Sequence, residues 1–166
     1  MRHNHSIPVI SFLVAVCFIS SSCRTTVPTA SQEHAQIAEV LFRHLAQPDP
    51  VNDPDSHGVN LAHKVYFLQV ESRDPSQSFL SGLTDFAVPV KGLSAGIMTN
   101  GCWVDKATGQ QGVAFFISHV QTIGRSKAEA DAAISAGTLR ASGFQYYLTK
   151  KAGKWSVVKQ KFRWVS

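Results

Sequence analysis

The end of the chain shows a regular alternation of apolar and polar positions. From residue 144 onward, one set of alternate positions is apolar and the other is more polar: Phe144, Tyr146 and Leu148 against Gln145, Tyr147 and Thr149. A period of two is typical of a β-strand with one buried face. Gly153 lies in the short turn that follows, where a hairpin bulge needs a positive φ. The pattern therefore predicts a β-hairpin over residues 143–165.

The second strand of this hairpin separates apolar side chains from cations. Alternation assigns the apolar residues, with one polar interruption, to one face: Val158, Gln160, Phe162 and Trp164. It assigns three cations, which we call the cationic triplet, to the other face: Lys159, Lys161 and Arg163. Such segregation is typical of an antiparallel sheet with one solvated side. We therefore expect Trp164 in the core and the triplet in solvent, where it either protects a sheet edge or binds a partner.

Two segments show helical signals instead. Residues 32–47 place apolar side chains at spacings of three and four, directly after the helix-capping residue Ser31. This pattern predicts an amphipathic helix that ends before Pro48. A shorter helix is predicted to start at Asp74, as its N-cap, and to end near Gly82.

The middle of the chain predicts further strands. Residues 62–72 are rich in valine and aromatic side chains, which favour strands. Residues 101–124 have the pattern of a hairpin whose second strand is apolar on both faces, as expected at the centre of a sheet. His119 falls on the same face of this strand as Phe115 and Ile117. We interpret His119 either as a hydrogen-bonded core residue or as a catalytic candidate.

Residues 126–137 fit two structures. Ser126 followed by Glu129 forms a capping box, and the alanines of this stretch favour a helix. The same residues also alternate in the manner of a strand. We favour the strand, because an antiparallel meander from residue 101 to the terminal hairpin needs a strand here to stay continuous.

Together these elements predict one α+β domain over residues 32–166, with an N-terminal helix packed on a curved antiparallel sheet and a second short helix. This element order, with a Gly-Lys-Trp turn at residues 153–155, resembles the nuclear transport factor 2-like and cystatin-like folds and uncharacterised bacterial proteins of that kind. In ketosteroid-isomerase-like members, the resemblance implies an Asp base with a Tyr, or a His and Asp pair, inside the cone of the sheet. Three residues would be the cone-lining groups here: His119, Tyr66 and Tyr146.

The start of the chain has the layout of an export signal. A basic residue, Arg2, precedes an apolar run over residues 9–19. The run is shorter than the roughly 20 apolar residues that span a membrane, and it fits a secretory signal. Ser22 before Cys23 resembles the cleavage site of bacterial lipoproteins. The resemblance implies that the signal peptide, residues 1–22, is removed and that Cys23 carries lipid.

The segment that follows, residues 23–31, is polar and without periodicity, which is typical of a tether. If Cys23 carries lipid, Cys17 leaves with the signal and Cys102 is the one remaining thiol, so no intrachain disulfide can form. The alternative is ordinary signal cleavage upstream of Cys23, which would leave Cys23 and Cys102 free to pair.

Charge adds a cationic C-terminal region to this picture. The formal net charge is +5, and no acidic residue follows Asp131. Nucleic acid is nevertheless a poor partner for an exported protein. The Asp-rich segment 48–60 lacks the spacing and the closing Glu of a calcium-binding loop. The sequence therefore predicts no metal and no cofactor.

These observations predict a non-catalytic, lipid-anchored domain of the cell envelope that faces the periplasm or the exterior. Its partners would be the membrane, through the lipid, and a protein, a glycan or an anionic envelope surface, through the cationic triplet or His119. The alternative is a small isomerase-like or hydrolyase-like enzyme with its site in the cone. A cone filled by aromatic side chains would favour binding through a surface, and a deep cavity near His119 would favour the enzyme.

Overall fold

The computed structural model describes residues 29–47 and 64–166. In these residues two helices, α1 (Ala30–Leu45) and α2 (Gln77–Ser81), and a 3₁₀ turn (Leu93–Ala95) accompany eight strands. The strands are β1 (Val65–Val70), β2 (Val90–Gly92), β3 (Gly96–Thr99), β4 (Cys102–Asp105), β5 (Gln111–Ile123), β6 (Lys127–Gly137), β7 (Arg140–Lys151) and β8 (Lys154–Val165). The fold is α+β, as the sequence predicts.

All eight strands belong to one mixed sheet. β5 lies between β1 and β6, β7 and β8 continue the sheet to one edge, and β2 forms the other edge. β3 and β4 form a hairpin, and β4 pairs with the start of β5 and with the end of β6. β1 runs parallel to both β2 and β5, so the prediction of a wholly antiparallel sheet is wrong. Two parallel strands that follow each other in the chain need a crossover connection. Here the segment that contains α2 is that connection between β1 and β2.

α1 covers one face of the sheet, which we call the inner face. Its buried side chains are Ile37, Ala38, Leu41, Phe42 and Leu45. The Phe42 ring lies 5.1 Å from that of Phe115 and 6.3 Å from that of Tyr66, and both pairs are close to perpendicular. Perpendicular contact is a favoured geometry for aromatic rings. Phe42 therefore lies at the centre of the main core.

β6 confirms the strand prediction for the ambiguous segment. β5 and β7 pair along its two sides, and this tertiary pairing overrides the helix propensity of alanine. The inward side chains of β6 are small or β-branched and are buried: Ala128, Ala130, Ala132 and Ile134.

The outer face of the sheet, opposite α1, has two halves. Over β1, β4 and β5 a second, smaller core forms, and we call this region the covered half. It contains Val65, Phe67 and Ala114, with Leu93, Ala95, Trp103 and Phe116 packed against them. Over β6, β7 and β8 the outward side chains include Asp131, Tyr147 and Lys161, which are at least partly accessible to solvent. We call this region the open half.

Both helices have caps other than the predicted ones. α1 is capped by Thr29 rather than Ser31, since the Thr29 hydroxyl accepts from Gln32 N and the Gln32 side chain accepts from Thr29 N. This reciprocal pair starts the helix two residues early, inside the predicted tether. α2 is capped by Ser76 rather than Asp74, whose carboxylate instead accepts hydrogen bonds from the loop after β2.

Several predictions fall outside the described residues. They concern the signal peptide, the lipid on Cys23, most of the tether and the segment 48–60. Among residues 29–47 and 64–166, no helix combines the length and the apolar character needed to cross a membrane.

Candidate functional site

A β-bulge near the middle of β8 changes which side chains face outward. In the antiparallel pairing with β7, Tyr147 faces Lys159 and Leu148 faces Val157. Val158 is therefore an extra residue on β8, and a bulge of this kind interrupts the alternation of the strand. Val158, which alternation places with the core residues, is 61% exposed.

A second bulge lies near the end of β8. Phe144 faces Phe162, and the preceding residue of β7, Gly143, faces Trp164. Arg163 is the extra residue here. Alternation counted along β8 fails again at this point, so Trp164 lies on the outer face, together with Gly143.

Trp164 covers Gly143 on this outer face. A Cβ atom added to Gly143 would collide with the indole ring, so the ring occupies the space directly above the glycine. The residue remains 47% exposed. The prediction that Trp164 lies in the core with Phe162 is therefore wrong, because the extra residue Arg163 between them puts the two rings on opposite faces. Packing an aromatic ring over a cross-strand glycine also stabilises a sheet locally.

Cross-strand register arranges the open half and its neighbour β5 in rows. One row places two small residues between two aromatic ones: Phe116, Ala133, Gly143 and Trp164. The next row is polar: Ser118, Asp131, Gln145 and Lys161. The third row is Gln121, Glu129, Tyr147 and Lys159. The open half thus has an indole ring at one corner and cations along its outer edge.

Gln145 connects the cationic triplet to the other polar groups. Its Oε1 accepts hydrogen bonds from Arg163 Nη2 at 2.6 Å and from the Tyr147 hydroxyl at 3.1 Å. Its Nε2 donates to Glu129 Oε2 at 3.4 Å. Lys159 Nζ lies 5.6 Å from the centroid of the Tyr147 ring, within cation–π range. These contacts orient the polar side chains on the surface of the sheet.

The charges of the open half are separated by strand. The triplet lies on the edge strand β8, whereas Glu129 and Asp131 lie on β6. Two strand spacings, about 10 Å, separate the columns. No member of the triplet forms an ion pair with any residue in the part of the chain that the structure describes. At a distance near the Debye length, exposed charges interact weakly, so the triplet is available to an anion.

His119 also lies on the outer side of the sheet. A register shift in β5 gives it a φ of 52°, and its side chain is 82% exposed. Its Nδ1 lies 3.2 Å from Asp131 Oδ2 and 3.5 Å from Ser118 Oγ. Both contacts use the same nitrogen, so they do not form a relay in which the two ring nitrogens bridge a nucleophile and an acid. The prediction that His119 shares a face with Phe115 is wrong because of this bulge.

Side chains of α1 and of the inner face of the sheet pack together in the main core. Tyr66 and Tyr146, the other predicted cone-lining groups, are buried, and burial raises the pKa of both hydroxyls. Both tyrosines therefore stay neutral at ordinary pH. Phe42 and Phe115 pack beside Tyr66, while His119 lies across the sheet. The three candidates for an enzyme site are thus not brought together.

A shallow pocket of about 320 Å³ lies where β4 meets the end of β6. Its lining includes Gly137, Arg140 and the half-buried free thiol of Cys102.

Residues 29–47 and 64–166 contain no group of three or more His, Cys, Asp or Glu side chains placed to hold a metal ion. The open half, with its grouped cations and exposed indole, is therefore the candidate site.

No protein-family model matches the chain, and no curated protein or solved structure shows significant similarity to it. The resemblance to nuclear transport factor 2-like and cystatin-like folds stays a prediction. Function has to be argued from the site itself, because even a shared fold would not carry an activity across.

Proposed function

We propose that this protein is a lipid-anchored domain of the cell envelope that binds an anionic envelope surface through the open half of its sheet. The position of the cationic triplet supports this proposal. Its three residues lie together on an edge strand, exposed to solvent and without ion-pair partners among the described residues.

The physical basis is electrostatic. A Lys or Arg close to a charged membrane surface contributes about 1 kcal/mol of binding free energy. Salt screens exposed charges, so such binding weakens as ionic strength rises. A lipid on Cys23 would hold the domain near its surface and raise the effective concentration of the two partners. The three cations together would contribute about 3 kcal/mol, and the lipid would add to this on the membrane.

The inner side of the sheet favours binding through a surface over chemistry in a cavity. Phe42, Tyr66 and Phe115 are packed together and buried in the core between α1 and the sheet. The enzyme alternative therefore gains no support from the described residues.

The anchor is tested by intact-mass measurement of the protein from the membrane fraction. We expect a chain that begins at Cys23 with a mass increase corresponding to lipid, and release of Cys23→Ala from the membrane. A soluble product that begins elsewhere, or full membrane retention of Cys23→Ala, contradicts the anchor without touching the binding proposal.

Binding is tested with the chain from residue 23 onward carrying Cys23→Ser, so that no lipid is present. This protein is sedimented with anionic phospholipid vesicles and with isolated cell wall, at low and high salt. We expect co-sedimentation with at least one of them, lost at high salt and in the variant with all three triplet residues changed to Gln.

The control variant changes three other exposed cations to Gln: Lys64, Arg73 and Lys106. They flank β1 or lie in the β4–β5 turn, away from β8, and their replacement lowers the net charge equally. We expect this variant to bind as the parent does. Equal binding by the parent and the triplet variant overturns the proposal and leaves edge protection as the role of the triplet.

A further inference from the structure

We infer that the anionic surface is a glycan, with Trp164 as the stacking platform for one sugar ring and the cationic triplet as the site for its acid groups. This inference rests on the proposed function and adds the chemical class of the ligand. One juxtaposition carries it, all on the open half: an exposed indole ring, a floor of small residues, and three cations that have no carboxylate partner among the described residues.

The indole ring is placed as a platform. It covers Gly143, yet almost half of Trp164 is exposed, so part of the ring is covered by the sheet and part is open to a ligand. The next residue of the same row, Ala133, is also small, so no large side chain of this row stands between the ring and Phe116. The face of an aromatic ring carries partial negative charge and packs well against C–H groups. The apolar face of a sugar ring presents such groups on a flat surface.

The neighbouring row supplies the hydrogen-bonding groups that sugar hydroxyls and acids require. Lys161 and Arg163 are donors, and Arg163 uses one guanidinium nitrogen on Gln145 while others stay available. The Tyr147 hydroxyl on β7 donates to Gln145 and can still accept a hydrogen bond. Hydroxyl groups both donate and accept, so a ligand that carries hydroxyls and acid groups together matches this mixture better than a simple polyanion.

The length of the triplet indicates a polymer. Lys159 to Arg163 covers four residue steps of a strand, about 13 Å at 3.3 Å per residue. An extended ligand matches this spacing better than one small anion does. The ligand that uses the whole triplet is extended and carries repeated acid groups.

An anionic membrane fits the open half less well. A broad negative surface laid on this face would also approach Glu129 and Asp131, which repel it. A chain one sugar wide can lie along β7 and β8 without crossing β6. An added peptide strand is also disfavoured, because the bulges at Val158 and Arg163 interrupt the free edge of β8.

The test is calorimetric titration of the chain from residue 23 onward with Cys23→Ser. The probes are a hexamer of a uronic acid, a hexamer of glutamate with blocked termini and therefore the same number of carboxylates, and a neutral glucose hexamer. We expect the hexuronate to bind at least about tenfold more tightly than either of the others, since only it offers both rings and acids.

Trp164 variants then separate stacking from a purely structural role. Stacking on an aromatic side chain predicts that Trp164→Ala lowers hexuronate affinity about tenfold and leaves glutamate-hexamer affinity unchanged. Trp164→Phe keeps an aromatic face and should stay within about threefold of the parent. Trp164→Leu still covers Gly143 with apolar atoms but has no aromatic face, and it should lose affinity as Trp164→Ala does.

The outcomes distinguish this inference from the proposed function. Hexuronate binding that is unchanged in Trp164→Ala or Trp164→Leu, or equal affinity for the glutamate hexamer, overturns the glycan inference while charge-driven binding stands. Binding to anionic vesicles without binding to hexuronate overturns it in favour of a membrane. If the triplet-to-Gln variant binds every anionic probe as the parent does, the proposed function fails and the inference fails with it.

Discussion

Tyr146 and Tyr147 are adjacent in β7 and lie in different environments. Tyr146 points to the inner face, where its ring lies 5.6 Å from that of His44 on α1 and burial raises the pKa of its hydroxyl. Tyr147 points to the outer face, where it donates to Gln145 and lies beside the ammonium group of Lys159. One step along the strand separates a side chain that stabilises the fold from one that is available to a ligand.

The two faces are specified by different physics. On the inner face, apolar side chains must fill the space under α1, so alternation and burial agree. On the outer face, the positions of Trp164 and Arg163 depend on the two bulges of β8. Mutations can therefore separate stability, which the inner face controls, from binding, which we assign to the open half of the outer face.

The largest effect is expected at the inner face. Phe42→Ala should lower the free energy of unfolding by about 3 to 5 kcal/mol, because it removes a buried ring from the centre of the core. This is a large part of the roughly 5 to 15 kcal/mol that holds a domain folded. Urea unfolding followed by circular dichroism measures it.

The matched control is Phe162→Ala on β8. Phe162 also contacts an aromatic ring, that of Phe144 at 5.7 Å, but it is 57% exposed. We expect a cost of about 1 kcal/mol or less, as for other cross-strand pairs. Similar costs for Phe42→Ala and Phe162→Ala would contradict the distinction between a packed interior and an accessible edge strand.

The covered half of the outer face contains a buried carboxylate, Asp105, whose contribution to stability should depend on pH. Asp105 is 1% exposed and accepts hydrogen bonds from Lys91 Nζ at 2.6 Å and Thr108 Oγ1 at 2.8 Å. These hydrogen bonds lower the pKa of Asp105 below its usual range. Its stabilising contribution is therefore complete above the unfolded value of about 3.9 and is lost as pH falls through the lower folded value.

We expect Asp105→Asn to destabilise the protein clearly at pH 7. The difference from the parent should shrink as pH falls below about 4, where the carboxylate of the parent protonates. Thermal unfolding across this pH range measures both effects. Asp85→Asn, which removes the exposed partner of Arg43, should have a smaller effect. A difference that is independent of pH would show that the charge of Asp105 does not stabilise the fold.

A smaller effect is expected where Trp164 meets Gly143. In Gly143→Ala the new methyl group must displace the indole ring, and we expect a loss of about 1 kcal/mol, at the low end for overpacking, because a surface ring can move outward. In a Trp164→Ala background the same substitution should cost nearly nothing. Urea unfolding of the four proteins gives the coupling energy. Equal costs in both backgrounds would contradict the position of the ring.

The sequence predicted the inner face well because burial imposes a strict period. Phe144, Tyr146 and Leu148 are buried as alternation predicts, and the strand at 127–137 was recovered because its neighbours need it. The parallel pairing of β1 was missed, since residues 62–72 carry no signal for the direction of their partner.

The candidate site was recovered in part. The cationic triplet was found because its three residues alternate, but Trp164 and His119 were assigned to the wrong faces. Counted from the turn without bulges, Gly143 would face Phe162, and two extra residues in β8 shift its partner to Trp164. Single-residue bulges are fixed by tertiary packing and twist, and no residue type in residues 154–165 marks them.

The smallest effect on stability is expected for the triplet itself. Changing Lys159, Lys161 and Arg163 to Gln removes no ion pair to a described residue and, of the hydrogen bonds between side chains, only the one from Arg163 to Gln145. Surface substitutions of this kind usually change the free energy of unfolding by no more than about 0.5 kcal/mol. We expect that result in urea unfolding, which would make this variant a folded control for every binding experiment.

The same variant tests whether the triplet exists only to protect the edge of the sheet. If charge alone keeps β8 from pairing with another chain, the Gln variant should associate as its concentration rises. The bulges at Val158 and Arg163 argue otherwise, because they break the regular hydrogen-bonding edge that a second strand needs and they remain after the substitution. We therefore expect sedimentation velocity to show the same species for the variant and the parent. Association confined to the variant would assign the triplet to edge protection, whereas unchanged association with lost binding would assign it to the ligand.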